Sequence, residues 1–73
     1  MAEQVVEAPM RGGVIRVHVQ NGHPVNEGDR ICDIEALKLE IPILAPVSGT
    51  VTAVHISPGQ NVEGGEALAV IQQ

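Results

Sequence analysis

The chain repeats itself at a spacing of 37 residues, and this repeat constrains the possible folds more than any other feature. Between Ala8 and Ile34, ten of the 27 positions are identical to the residue 37 further on. They include Ala8/Ala45, Pro9/Pro46, Gly12/Gly49, Val14/Val51, Gly22/Gly59, Gly28/Gly65 and Ile34/Ile71. Val19/Ile56, Asp29/Glu66 and Ile31/Leu68 agree in character. The repeats run over about 5–36 and 39–72, and Glu35-Ala36-Leu37-Lys38-Leu39-Glu40 forms the junction. Lys38 is the only lysine of the chain. A unique amine at the centre of a duplicated fold points to an attachment site.

Seventy-three residues imply one domain spanning 1–73. A chain of this length buries about 60% of its unfolded surface. The apolar residues are aliphatic, with no Phe, Tyr or Trp. They suit thin, closely apposed sheets rather than a ligand pocket of roughly 300–1,000 Å³. With no clustered catalytic set, the chain is expected not to be an enzyme on its own. The net charge of −5 and the scattered Arg11, Arg16 and Arg30 argue against nucleic acid as a partner. No apolar stretch approaches the ~20 residues of a membrane span, so no direct membrane insertion is expected. No secretory signal pattern opens the chain. Cys32 has no partner for a disulfide or a CxxC pair, which fits a reducing, cytoplasmic setting.

Short β-branched runs punctuated by turn residues predict an all-β fold. Eight strands are expected: Val5–Glu7, Val14–Gln20, Val25–Asn26, Ile31–Ala36, Leu39–Leu44, Thr50–Ser57, Val62–Glu63 and Leu68–Gln72. Strict alternation over Val14–Val19 and its repeat puts Val17, Val19, Val54 and Ile56 on the core face. Asn21-Gly22 suggests a type I′ hairpin turn and Pro58-Gly59 a type II turn. Two four-stranded halves related by a pseudo-two-fold axis would close into a flattened antiparallel β-barrel or sandwich, a barrel-sandwich hybrid. Closure hides the strand edges of so small a sheet protein.

The junction breaks the local rules. From Ile31 to Ile41 there is no Gly, Pro, Asn or Ser, yet the duplication demands a reversal inside it. A tight turn at Leu37-Lys38 would place both residues at positive φ, which is costly without glycine. Such violations mark functional sites. Lys38 is ill suited to act as a catalytic amine, which needs burial or a neighbouring cation. Its neighbours are Asp33, Glu35 and Glu40. It is suited to acylation by a second protein.

From Val5 to Ile71 the chain resembles the biotinyl/lipoyl carrier domains. Their biotinyl motif Glu-Ala-Met-Lys-Met reads here Glu35-Ala36-Leu37-Lys38-Leu39. The flanking Ala8-Pro9-Met10, Gly12, Gly22, Val25, Gly28-Asp29, Ala45-Pro46, Gly49, Gly59, Val62, Gly65, Leu68 and Ile71 agree as well. The resemblance implies that biotin is joined covalently to the Lys38 ε-amine by a biotin protein ligase. The chain would then carry a carboxyl group between biotin carboxylase and carboxyltransferase sites. It would be a non-catalytic component of a biotin-dependent carboxylase, decarboxylase or transcarboxylase. The flexible tether keeps the reactive ring at high effective concentration near both sites, while the chemistry belongs to the cofactor and partner enzymes.

By the same resemblance Glu35, Ala36, Leu37 and Leu39 are ligase and partner recognition residues. Leucine at 37 and 39 keeps the bulk of the family's methionines without the flexible thioether. The short Val14–Ile31 segment places the chain among the thumbless carriers. A lipoyl carrier of an oxo-acid dehydrogenase or glycine-cleavage-like system is the alternative; lipoyl domains carry Asp or Ser before the lysine, where this chain has Leu37. A structural module of the membrane-fusion adaptor type would need a helical hairpin that six junction residues cannot supply. His18 and His55 read as symmetry-related surface histidines, with no further ligands at metal spacing. Glu40 reads as a surface charge, Cys32 as a small strand residue and Met10 as core edge.

Overall fold

The computed structural model describes residues 2–73, all strand and turn. The strands are β1 (Glu3–Glu7), β2 (Gly12–Val17), β3 (Pro24–Val25) and β4 (Arg30–Ala36). After the junction come β5 (Leu39–Leu44), β6 (Gly49–Val54), β7 (Asn61–Val62) and β8 (Ala67–Gln72). They form two four-stranded antiparallel sheets, ordered β1-β8-β6-β3 and β5-β4-β2-β7. The molecule is therefore a flattened antiparallel barrel-sandwich. Matching each strand to the one 37 residues on converts one sheet order into the other. Each sheet draws strands from both repeats, so neither repeat can bury its apolar face without the other.

Ile31, Ile34, Val51, Val62, Leu68 and Ile71 fill the space between the sheets and are at most 1% exposed. Each contributes about 1.5–3 kcal/mol by leaving water. The alternation expected for β2 and β6 holds only in part. Val19 and Ile56 are buried, but Val17 and Val54 are half-buried, and Val14 and Val51 from the opposite predicted face lie deep in the core. The cause is a pair of β-bulges. Val14 and Arg16 pair with the consecutive residues Ile34 and Asp33, and Val51 and Ala53 with Ile71 and Val70. Ile15 and Thr52 are thus extra residues that switch the inward parity. A second matched pair of bulges lies at Ile31 and Leu68.

The Asn21-Gly22 turn differs from the type I′ expectation. Gly22 has φ 96° but Asn21 is not at positive φ, and His23 N–H donates to Gln20 O at 3.0 Å. This is the pattern of a type II turn. Pro58-Gly59 follows it, with Gly59 at φ 90° and Gln60 N–H on Ser57 O. The strand after the first turn, β3, pairs with β6 across the sandwich rather than with β2. β2 and β6 accordingly end at Val17 and Val54, three residues earlier than predicted.

These crossings fix the ends of the molecule. The turn after β2 bonds the start of β6 (Gly22 N–H to Val51 O, 2.7 Å), and the turn after β6 bonds the start of β2 (Gly59 N–H to Val14 O, 2.8 Å). The starts of β2 and β6 therefore lie at opposite ends of a body 36 Å long and about 19 Å across. The β4–β5 junction is at one end and the paired terminal strands β1 and β8 reach the other. Among the described residues no helix is long and apolar enough to cross a membrane.

Candidate functional site

Strands β4 and β5 pair from Arg30↔Leu44 to Ala36↔Leu39, which leaves Leu37 and Lys38 as a two-residue turn. Their φ values are 53° and 65°. Positive φ at both central residues is the type I′ requirement, usually met by Asn-Gly. Left-handed backbone costs an L-residue about 1–2 kcal/mol, so the pairing below must hold the turn closed. Ile34 and Ile43 anchor that pairing in the core. At the tip, Leu37 is 84% and Leu39 65% exposed, and Lys38 is exposed between them. Glu35 is exposed, opposite Glu40, and Ala36 is buried beneath the turn. Two bulky aliphatic side chains in water beside one amine are costly to solubility and contribute nothing to the core. They suit contact with another protein.

Behind the hairpin, the outer face of the β5-β4-β2-β7 sheet carries a charged cluster. Asp33 on β4 is 1% exposed yet ionised. Its Oδ2 accepts from His18 Nε2 at 2.9 Å and from Arg16 Nε at 3.1 Å. Arg16 Nη2 also donates to Glu40 on β5, so one guanidinium links three neighbouring strands. Arg30 Nη1 stands 3.9 Å from Asp33 Oδ1, which has no hydrogen-bond partner within the protein. The His18 hydrogen bond, followed by that of Arg16, holds the Asp33 carboxyl below the usual carboxylate range against the opposing effect of burial. Both histidines are exposed as expected, but His18 also bonds Asp33, which its counterpart His55 does not. Glu40 is an ion-pair partner as well as a surface charge. Met10, expected at the core edge, is 39% exposed. Burial pushes the Cys32 thiol up to about 11, with the Asp33 charge adding to the effect, so no reactive thiolate sits here.

The sequence held a signal for this cluster. Arg16 and Asp33 face each other across β2 and β4, and their repeat counterparts Ala53 and Val70 face each other across β6 and β8. An ion pair in one repeat where the other has an apolar pair marks a local task. A lowered folded-state value means stabilisation that is present above the ordinary carboxylate value of about 3.9 and is lost as pH falls through the lower folded value. Asp33→Asn is expected to cost about 1 kcal/mol at pH 7, reduced from the value for a sealed pair because Arg16 and His18 are 53% and 34% exposed. Urea midpoints followed from about pH 5 to about pH 2 should fall more steeply for the wild type than for Asp33→Asn; parallel curves would refute this role.

This fold and hairpin match a known family. The chain belongs to the Biotin_lipoyl family, described as biotin-requiring enzyme, whose model matches residues 4–71. No curated protein sequence matches it. Among solved structures, the urea carboxylase of Kluyveromyces lactis superimposes with a TM-score of 0.91 at 29% identity, over 99% of this chain and 6% of the other. A single-chain, multi-domain long-chain acyl-CoA carboxylase superimposes with a TM-score of 0.86, also at 29% identity, over 93% of this chain and 7% of the other. The chain thus spans a small fraction of the length of either.

Proposed function

We propose that residues 1–73 form a biotin carboxyl carrier domain, a non-catalytic component of a cytoplasmic biotin-dependent enzyme. The observation that carries this reading is the presentation of the sole lysine on a two-residue turn of left-handed backbone, flanked by exposed Leu37 and Leu39. The kinship to portions of two carboxylases supports it. A biotin protein ligase joins the activated carboxyl of biotin to the Lys38 ε-amine: the N–C bond forms, the activating group leaves and the nitrogen gives up its charge. Leu37, Leu39 and Glu35 make the surface that the ligase and later partners read; Ala36, expected among these residues, is buried and supports the turn from below instead.

When bound, biotin supplies a ureido nitrogen that accepts carboxylate at a biotin carboxylase and releases it at a carboxyltransferase. The chain itself keeps the attachment point on a stiff hairpin, so that the arm moves and its base does not. The rigid β4–β5 pairing and the Arg16 bridge support that division. Intact-mass analysis after co-expression with a biotin protein ligase is expected to show one biotinyl adduct, located on the peptide containing Lys38. A lipoyl-sized adduct with a lipoyl ligase, and none with the biotin ligase, would replace this reading with the lipoyl carrier.

A further inference from the structure

Beside the hairpin lies an open notch of about 550 Å³, lined by Arg11, Gly12, Gly13, Ala36, Leu37 and Asn61 among others. Gly12 and Gly13 have different reasons to be glycine. A Cβ on Gly12 would stand 2.8 Å from Glu35 O, so the fold needs glycine there. Gly13 is not at positive φ, and a Cβ on it would meet only Asn61 Oδ1, at 3.4 Å. Nothing in the packing demands its missing side chain, and glycine inside a strand weakens it. Strand glycines of this kind mark a place where something approaches closely.

The repeat sharpens the point. Gly13 pairs across strands with Asn61, and the equivalent pair at the far end of the molecule is Thr50 with Pro24. Thus the lysine end has lost a side chain and gained an amide at one cross-strand pair. The result is a glycine floor, an apolar wall at Ala36 and Leu37, a carboxamide at Asn61 and the carboxylates of Glu35 and Glu63, which can accept from a ureido N–H. The Arg11–Glu63 ion pair (3.4 Å) stands at the rim.

We propose that this notch is a resting berth for the acyl group carried on Lys38, the residue next to its Leu37 wall. The inference rests on the biotin carrier reading for the identity of that group. A fused ring with an apolar thioether half and a ureido half matches the lining. The apolar half lies against Ala36 and Leu37, and the ureido N–H and C=O meet the acceptor and donor of the Asn61 amide. The many single bonds of the arm let it fold back. Because the group is tethered, its effective concentration at the berth is of millimolar order, so even a weak site is appreciably filled. The berth holds the ring off solvent between visits to partner enzymes.

The test uses ¹⁵N-labelled protein acylated chemically with an active ester of biotin, with adducts verified by mass. Lys38→Arg, which reacts only at its α-amine, serves as the subtraction control. Acylation at Lys38 is expected to shift the backbone signals of Gly12 and Gly13 and the Asn61 side-chain amide. These shifts should shrink at least threefold in Gly13→Thr and in Asn61→Ala; Asn61 is exposed, so its truncation leaves the core untouched. Shifts confined to residues 36–39 would overturn the berth. Shifts as large in both variants would overturn it too. Absence of ligase-dependent adduct with berth shifts intact would refute the biotin carrier reading alone, so the two failures are distinct.

Discussion

Replacing Lys38 by arginine is expected to abolish ligase-dependent acylation completely, with the melting transition unchanged. The side chain is exposed and makes no contact that the fold uses, so stability has no stake in it. A more demanding variant transposes the turn, Leu37→Lys with Lys38→Leu. It keeps composition, net charge and two leucines at the tip, now both on the C-terminal side of the lysine with the buried Ala36 before it, and moves the amine back by one Cα, about 3.8 Å. The two turn positions share left-handed backbone, with φ of 53° and 65°, but are successive residues of the reversal. Misplacing a reacting atom by about 1 Å can cost on the order of 100-fold, so the transposed chain should label at least about 100 times more slowly. Initial rates by mass spectrometry measure this. Equal rates in the two registers would mean that the ligase reads only an accessible amine, and the left-handed turn would lose its functional explanation.

The second large effect concerns stability. A Cβ on Gly49 would overlap the carbonyl oxygen of Gln72 and lie 2.9 Å from Ile71 Cγ2, both on β8. Relief requires moving a central strand whose Leu68, Ala69 and Ile71 are fully buried. Gly49→Ala is expected to cost about 3 kcal/mol or more. Natural stability is roughly 0.05–0.15 kcal/mol per residue, so a chain of this size would be left close to unfolding. Gly13→Ala is the control, because its Cβ meets nothing closer than 3.4 Å. Gly12→Ala should fall between them, since its collision is with Glu35 O at 2.8 Å. Urea midpoints rank the three. A Gly49→Ala midpoint equal to that of Gly13→Ala would show that β8 gives way freely.

Much of this was legible before any coordinates. Turn glycines, β-branched runs and the 37-residue repeat located all eight strands to within three residues at every end, and identified the closed all-β form. The need for reversal at Leu37-Lys38 followed from the repeat against local propensity, and both residues do take positive φ. The inward faces of β2 and β6 were misread because a bulge leaves no mark in apolar alternation: Ile15 and Thr52 are ordinary strand residues. The Asn21-Gly22 turn was misread because its dipeptide favours a hairpin that the fold replaces with a crossing to the other sheet. The Arg16–His18–Asp33–Glu40 cluster escaped notice because strand charges read as solvated until cross-strand neighbours are known. Which residues a ligase or partner touches is a property of two surfaces, and one sequence describes only one of them.

The placement of the chain ends has a practical corollary. Gln73 N–H donates to Ala2 O at 2.9 Å, and Glu3 pairs with Gln72, so both ends emerge side by side at the pole away from the β4–β5 tip. A handle fused to either end, or a bead coupled through it, stands nearly the length of the molecule from the amine. The lysine then works at the free end of a short rigid rod, and its accessibility is insensitive to which end is held.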